Sequence, residues 1–258
     1  MVNLVPVIGV GFLLGARHAT DPDHVIAVST IVSRQQKIRH AGLIGALWGV
    51  GHTITIFFVG VGIILFNLTI PPRIGLAMET SVGLMLIFLG VLNLTGVMEW
   101  ITHRFTPSHL QPEEITKVLH RQGRKTDLPQ KGHKLDGPLQ SVLERLGLYQ
   151  LLRPLAVGLV HGLAGSAAVA LLVLTTIHDP RWALVYLLIF GVGTIVGMML
   201  ITIIIGVPFV YTSRRFSPFH RSLSFVSGVV SVAFGLFITL QNSVLDGLFA
   251  AYPHWTPR

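Results

Sequence analysis

The stretch GARHATDPDHVIAV, Gly15 to Val28, lies inside an apolar segment and yet carries Arg17, His18, Asp21, Asp23 and His24 within eight positions. On a membrane-insertion scale an Asp or Arg at mid-helix costs about 2.5 to 3.5 kcal/mol, while each Leu or Ile returns only about 0.3 to 0.6. Arg17, Asp21 and Asp23 together cost roughly 7.5 to 10 kcal/mol, more than about ten apolar neighbours recover. Such a segment has to be sheltered inside a bundle, and its charges have to meet partners.

Two readings meet that demand. One is a buried salt-bridge network, with Arg17 paired to Asp21. The other is a metal site, because imidazole and carboxylate together suit divalent first-row metals. At about 100° per residue, His18, Asp23 and His24 point to about 0°, 140° and 240° around an ideal helix, so they converge on one ion only if the helix breaks. Pro22 supplies the break: it lacks an amide hydrogen, and in a continuous helix its ring meets the carbonyl of His18. An opened turn within a membrane is tolerated only where it lines a protein-walled cavity or ion site. The metal reading therefore explains both the charges and the proline, with the side chains replacing an ion's water shell.

The rest of the chain fits a membrane setting. Of 258 residues, 51% are hydrophobic and 12% charged, against roughly 25% charged in soluble domains. Six apolar segments, at 4–32, 41–66, 76–98, 151–176, 182–210 and 222–245, each reach the roughly 20 residues that a helix needs to cross a bilayer. Runs such as LITIIIGVPFVY are apolar on every face, which excludes the alternation of barrel strands. The N-terminus MVNLVPVIGV has no basic region before its apolar run, so the first segment is expected to stay in the mature protein.

The formal charge is +8, but the basic residues lie between the apolar segments, where they set orientation; a nucleic-acid partner is not expected. The loops after segments one, three and five hold most of the Lys and Arg, whereas the opposite side has Arg73, Arg181 and Arg258. Both termini are thus expected outside and the polar loop 99–150 in the cytoplasm. Within that loop and just beyond it, GPLQSVLERLGLYQLL places Leu139, Val142, Leu143 and Leu146 on one face, the spacing of a short amphipathic helix on a membrane surface.

The two halves resemble each other. GARHATDPDHVIAV recurs in outline as GLVHGLAGSAAVAL, WGVGHTITIFFVG as FGVGTIVGMMLIT, and GLMLIFLG as GVVSVAFG, at offsets of 143, 142 and 145 residues. With three crossings per unit the second copy must run with opposite topology, as in many secondary transporters. The expected fold is an all-α integral membrane protein of six transmembrane helices, built as two inverted three-helix repeats, 1–98 and 151–258, with a discontinuous first helix at the metal site.

Further candidates stand outside the first segment. His52 in WGVGHTI lies mid-way through segment two just after the small residues Gly49 and Gly51, which permit close approach to another helix; a lone histidine there can be a hydrogen-bonded packing residue, but segment one needs a further ligand, and His52 is expected to supply it. His161 occupies the repeat position of His18 and can act as a transit ligand, a proton acceptor or an interhelical hydrogen-bond donor. Other chemistries lack their residues: there is no cysteine, no Gly-x4-Gly-Lys-Ser/Thr and no His-Glu-x-x-His, so thiolate sites, a P-loop and a zincin-type enzyme are excluded.

The pattern His-x4-Asp-His from His18 to His24, followed in the next helix by Gly51-His52-Thr53, resembles the nickel/cobalt transporter (NiCoT) superfamily. The likeness is greatest to its six-helix, urease-accessory type of nickel permease, which the run VHGLAGSAA, Val160 to Ala168, is also similar to. The resemblance implies a permease in the plasma membrane for uptake of nickel, or cobalt, destined for metalloenzymes such as urease or hydrogenase, with a downstream metallochaperone as a partner and no resident cofactor. It carries over His18, Asp23 and His24 as essential ligands and His52 as a further one; Arg17, Asp21 and His161 are expected, from their positions alone, in transit or supporting roles. Eight-helix members have an acidic motif in the helix matching segment four; no carboxylate stands there in this chain. Related exporters share the His-x4-Asp-His pattern but carry a long His-rich loop, whereas loop 99–150 has only His103, His109, His120 and His133, which favours import over efflux.

Metal binds the neutral imidazole, whose ordinary pKa is about 6.5, so protons compete with metal for His18 and His24 and affinity falls as the medium drops below about pH 6. With two rings involved, the apparent dissociation constant rises by up to about a hundredfold per pH unit on the acid side. A nickel-binding titration of the purified protein between neutral and mildly acid pH checks this, and an affinity independent of pH removes both histidines from the site.

Overall fold

A computed structural model describes residues 4–33, 35, 37–66, 70–96, 152–163, 179–250 and 253–255. They form seven α-helices and no strand: α1 (Leu4–His18), α2 (Pro22–Val32), α3 (Ile38–Phe66), α4 (Pro72–Thr95), α5 (residues 152–161), α6 (Pro180–Arg215) and α7 (Ser217–Leu240), the last continued by a single π turn, Gln241–Leu245. Seven stand where six were expected because the first segment is two helices. Residues 137–151 of the expected amphipathic stretch and the remainder of segment four, 164–176, lie outside the described residues.

The break between α1 and α2 is built from local hydrogen bonds. The last turn of α1 closes with the Thr20 N–H donating to the Arg17 carbonyl at 2.8 Å and the Asp21 N–H to the His18 carbonyl at 3.1 Å. Asp21 is then extended, with φ −60° and ψ 145°, as the residue before a proline prefers. Pro22 opens α2, where its missing donor removes no intrahelical bond, and the Val25 N–H to the Asp21 carbonyl restarts the ladder. Proline also opens α4, α6 and α7 in the first turn, and α4 closes on Gly96 at φ 70°, a left-handed position that glycine takes without a Cβ clash.

Four helical stretches, Ile38–Phe66, Pro72–Thr95, Pro180–Ser213 and Pro218–Leu245, are long and apolar enough to cross a membrane. The helix α6 runs 36 residues, about 54 Å at 1.5 Å per residue, so it outreaches the apolar segment 182–210 that hydropathy marks. Its interior Pro208 lacks the N–H that would reach the Ile204 carbonyl, a gap tolerated where neighbouring helices supply the packing; one turn on, the Thr212 hydroxyl donates to the Pro208 carbonyl at 2.7 Å. Large apolar side chains such as Leu13, Phe58, Phe88, Ile204 and Phe225 point outward, as a surface solvated by lipid requires. The described residues are all-helical, without a strand, and the protein is a multi-pass membrane protein.

Close backbone approaches hold the bundle together, and they come in pairs. A Cβ on Gly158 in α5 would strike the Trp48 and His52 backbone of α3, and one on Gly15 in α1 would strike Phe190 and Thr194 of α6. Gly51 lies against Leu155 as Gly193 lies against Phe12, and Gly49 against Ile195 as Gly191 against Thr53. Between α4 and α7, Gly83 meets Gly235 while Gly90 meets Gly228. Each contact turns into its companion when residue numbers move by the sequence offsets of 142 to 145. Small residues serve here because lipid gives helices no hydrophobic drive to associate, so attraction depends on close van der Waals contact.

The core has two apolar clusters. The larger joins Ala27, Val28, Ile31, Trp48, Leu86 and Met198; the smaller joins Ile56, Ala183, Tyr186, Leu187 and Phe190. A polar seam fastens α2 to α4 and α7: Ser29 bonds Ser227 at 3.0 Å, Ser33 donates to Asn93 at 3.2 Å, and the Ser224 hydroxyl donates to the Ser33 carbonyl at 3.0 Å.

Gly158→Ala is expected to destabilise the protein by about 1 to 3 kcal/mol through overpacking against Trp48. Gly9, with open space where its Cβ would stand, is the control: Gly9→Ala should be neutral or stabilising by up to about 1 kcal/mol. Thermal unfolding in detergent reads the difference in sign.

Candidate metal centre

The turn that ends α1 and the turn that starts α2 bring His18, Asp23 and His24 together, although on a continuous helix they would diverge. Trp48 and His52 arrive from α3, four residues apart and hence on one face. His161 arrives from α5, held close by Gly158 and by Gly162, whose Cβ would strike the His52 carbonyl. His24, His52 and His161 are fully buried and His18 is 6% exposed. The rings crowd together, with centroids 4.7 Å apart for His18 and His24, 5.0 Å for His18 and His52, 5.0 Å for His24 and His52, and 4.2 Å for His24 and His161. Trp48 stacks on His24 at 5.8 Å, and Phe190 closes the side next to His18 at 5.7 Å, so one wall belongs to each apolar cluster.

The hydrogen bonds assign the protons. A carboxylate only accepts, so His18 Nδ1–H donates to Asp21 Oδ2 at 2.8 Å. In a neutral His18 ring Nε2 is then the acceptor, and His52 Nε2–H donates to it at 2.9 Å, which puts the free lone pair of His52 on Nδ1. In the same way Asp23 accepts from His24 Nδ1–H at 3.0 Å through one oxygen and from His161 Nε2–H at 3.0 Å through the other, leaving lone pairs on His24 Nε2 and His161 Nδ1. Those three nitrogens, His24 Nε2, His52 Nδ1 and His161 Nδ1, are buried without a hydrogen-bond partner among the described residues. A buried polar atom left unpaired costs about 1 to 3 kcal/mol. Lone pairs of this kind, buried beside two carboxylates, are what a Lewis-acidic cation takes; the indole N–H of Trp48 is buried and unpartnered beside them among the described residues.

Two groups of three have ligand atoms within 4.8 Å of one another: His18, His24 and His52, and Asp23, His24 and His161. The structure thus brings together all of His18, Asp23, His24, His52 and His161. It does not bring in Arg17, which is exposed and makes no ion pair among the described residues. The expected Arg17–Asp21 pair is therefore absent there, because His18, three residues before Asp21 and buried, takes the carboxylate instead. Trp48 is a wall of the site that the sequence reading passed over; its place one turn before His52 was the available signal. Of the three roles left open for His161, a hydrogen bond across helices to Asp23 is present.

No family model matches the chain, and no solved structure matches it. Among characterised proteins it is 31% identical over 129 residues to the nickel transporter NixA of Staphylococcus aureus (strain NCTC 8325 / PS 47), covering 45% of this chain and 38% of that one. It is 24% identical over 233 residues to the chloroplast protein FOR GROWTH AND FERTILITY 1 of Arabidopsis thaliana, covering 90% of this chain and 58% of that protein. To the urease accessory protein UreH of Bacillus sp. (strain TB-90) it is 35% identical over 248 residues, 96% of both chains. With buried histidines set at a helix break and a match that runs nearly end to end, the chain belongs to the urease accessory protein UreH family.

Proposed function

We propose that this protein is a permease that carries divalent nickel into the cell across the plasma membrane, with His18, Asp23, His24 and His52 as ligands. The observation that carries the reading is the convergence of buried imidazoles and a carboxylate at a helix break inside a membrane bundle, with acceptor nitrogens left unpaired. The name of NixA, a nickel transporter, supports the choice of metal, as does the family's association with urease. Cobalt takes the same nitrogen and oxygen donors and is the second substrate to test. The reading is one of transport, not catalysis.

The paired glycine contacts support two inverted three-helix units, 1–98 and 151–258, joined by a cytoplasmic loop 99–150, with both termini outside. Inward movement of a dication down a membrane potential of 100 mV is favourable by about 4.6 kcal/mol, enough to drive uptake. Asp21 is best placed to hold the His18 ring in the tautomer that presents Nε2, since carboxylates bonded to a ligating histidine orient it and raise its basicity.

His18→Ala, Asp23→Ala and His24→Ala should each abolish uptake of radioactive nickel into cells at equal protein level, and any variant that keeps most of the uptake removes that residue from the ligand set. Asp21→Asn should be milder than Asp23→Asn, weakening metal affinity by about ten- to a hundredfold; equal severity points to Asp21 as a ligand. In the same assay, accumulation supports import and depletion of preloaded nickel supports export.

A membrane-impermeant thiol reagent applied from outside should leave Ser108→Cys unlabelled in intact cells and label it after permeabilisation. Labelling in intact cells reverses the orientation.

A further inference from the structure

The cluster contains two sets of donors, not one. His18, His24 and His52 form the first and Asp23, His24 and His161 the second, each with ligand atoms within 4.8 Å, and His24 alone belongs to both. The other members are tied in separate chains: Asp21, His18 and His52 in one, Asp23 and His161 in the other. The two nitrogens of His24 are differently engaged, Nδ1 bonded to Asp23 at 3.0 Å and Nε2 unpartnered. The sets also differ in origin. His18, His24 and His52 come from α1, α2 and α3, whereas the second set takes His161 from α5 on the far side of the polar loop.

We propose that the two sets are successive stations for one divalent ion, with His24 as the ligand common to both; the proposal rests on the permease reading. A single sphere made of every donor present would hold the ion too firmly to release it, and conduction favours several weaker sites over one deep one. Three protein ligands leave coordination positions open, so a ligand of the next station can bind before one of the last station leaves. His24 keeps the ion bound throughout the exchange, and the dication is never without donors in a medium of low dielectric constant. Only Nε2 of His24 has a free lone pair, Nδ1 being bonded to Asp23, and one lone pair holds one ion, so the stations are occupied in turn. Helix α5 lies against α3 at the glycine contacts of Gly51, Gly158 and Gly162 and through one hydrogen bond, from the Thr55 hydroxyl to the Leu159 carbonyl at 2.9 Å; a small slide of α5 that gives up that bond alters the second station, which alone takes a ligand from α5, and leaves the first intact. Such a slide is the kind of repeat-against-repeat motion that moves a carrier between its open states.

The test is a double-mutant cycle on the purified full-length protein, with radioactive nickel in equilibrium dialysis and His52→Gln, His161→Gln and the double substitution as variants. If either station suffices for binding, each single variant binds one nickel per chain more weakly than the parent, while the double variant loses at least about tenfold more than the product of the two single losses. Losses that simply add mean one site and overturn the proposal. His52→Asn and His161→Asn repeat the cycle where thermal unfolding shows that glutamine disturbs the fold. In proteoliposomes His161→Gln should lower nickel uptake at least about tenfold despite retained binding; uptake within twofold of the parent also overturns it. Uptake by the unsubstituted protein tests the permease reading by itself: absent uptake defeats that reading and the hand-over with it, whereas additive binding losses defeat the stations and leave the permease standing.

Discussion

A bilayer interior offers no water to backbone or charge, and the turn between α1 and α2 is where this chain meets that constraint. Pro22 ends one ladder of hydrogen bonds and starts another, and the freed groups are satisfied at once by Thr20 and Asp21 within the turn. The two carboxylates that the turn presents, Asp21 and Asp23, are covered by histidine donors and not by arginine. That substitution matters chemically. An arginine pair would be a closed, permanently charged contact, because guanidinium has no lone pair to give. Each imidazole that donates one hydrogen to a carboxylate keeps a lone pair at its other nitrogen, so the groups that neutralise the carboxylates also become metal donors. The remainder of the bundle follows: α3 and α5 must come close enough to deliver His52 and His161, and only glycine at 51, 158 and 162 allows that approach.

Much of this was legible in the sequence, for reasons that are local. The discontinuity at Pro22 follows from a ring and a missing proton, and the need for convergence follows from helical angles between His18, Asp23 and His24. The span positions of α3, α4, α6 and α7 follow from hydropathy, although their ends do not: hydropathy marks where lipid stops, whereas α6 continues to Arg215 because its backbone bonds continue. What was not legible depends on which atoms meet across helices. The sequence leaves Asp21 open between a pair with Arg17 and a place at the metal site, and His18, three residues earlier and buried at the same turn, takes it. Trp48 reads as one apolar residue among many until the rotation of α3 places it against His24. His161 could be placed by the internal repeat, but its bond to Asp23 depends on how closely α5 docks.

The paired contacts and the unpaired chemistry are best considered together. On the two-unit reading, His18 matches His161 and His52 matches Thr194, while the positions of Asp23 and His24 hold Ser166 and Ala167 in the second unit. The packing glycines are kept in both units, the ligands in one. Thr194 is fully buried, and its hydroxyl donates to the Phe190 carbonyl one turn back in its own helix at 2.9 Å, so it fills the place of His52 without offering a lone pair across the bundle. Helix packing tolerates duplication, because the same close approach works at each of two symmetry-related places. A coordination sphere does not, because one ion needs donors converging on one point, and a second full set of charges across the bundle would need partners of its own. The second unit therefore contributes a matching framework and a single imidazole, His161, turned toward the carboxylate of the first.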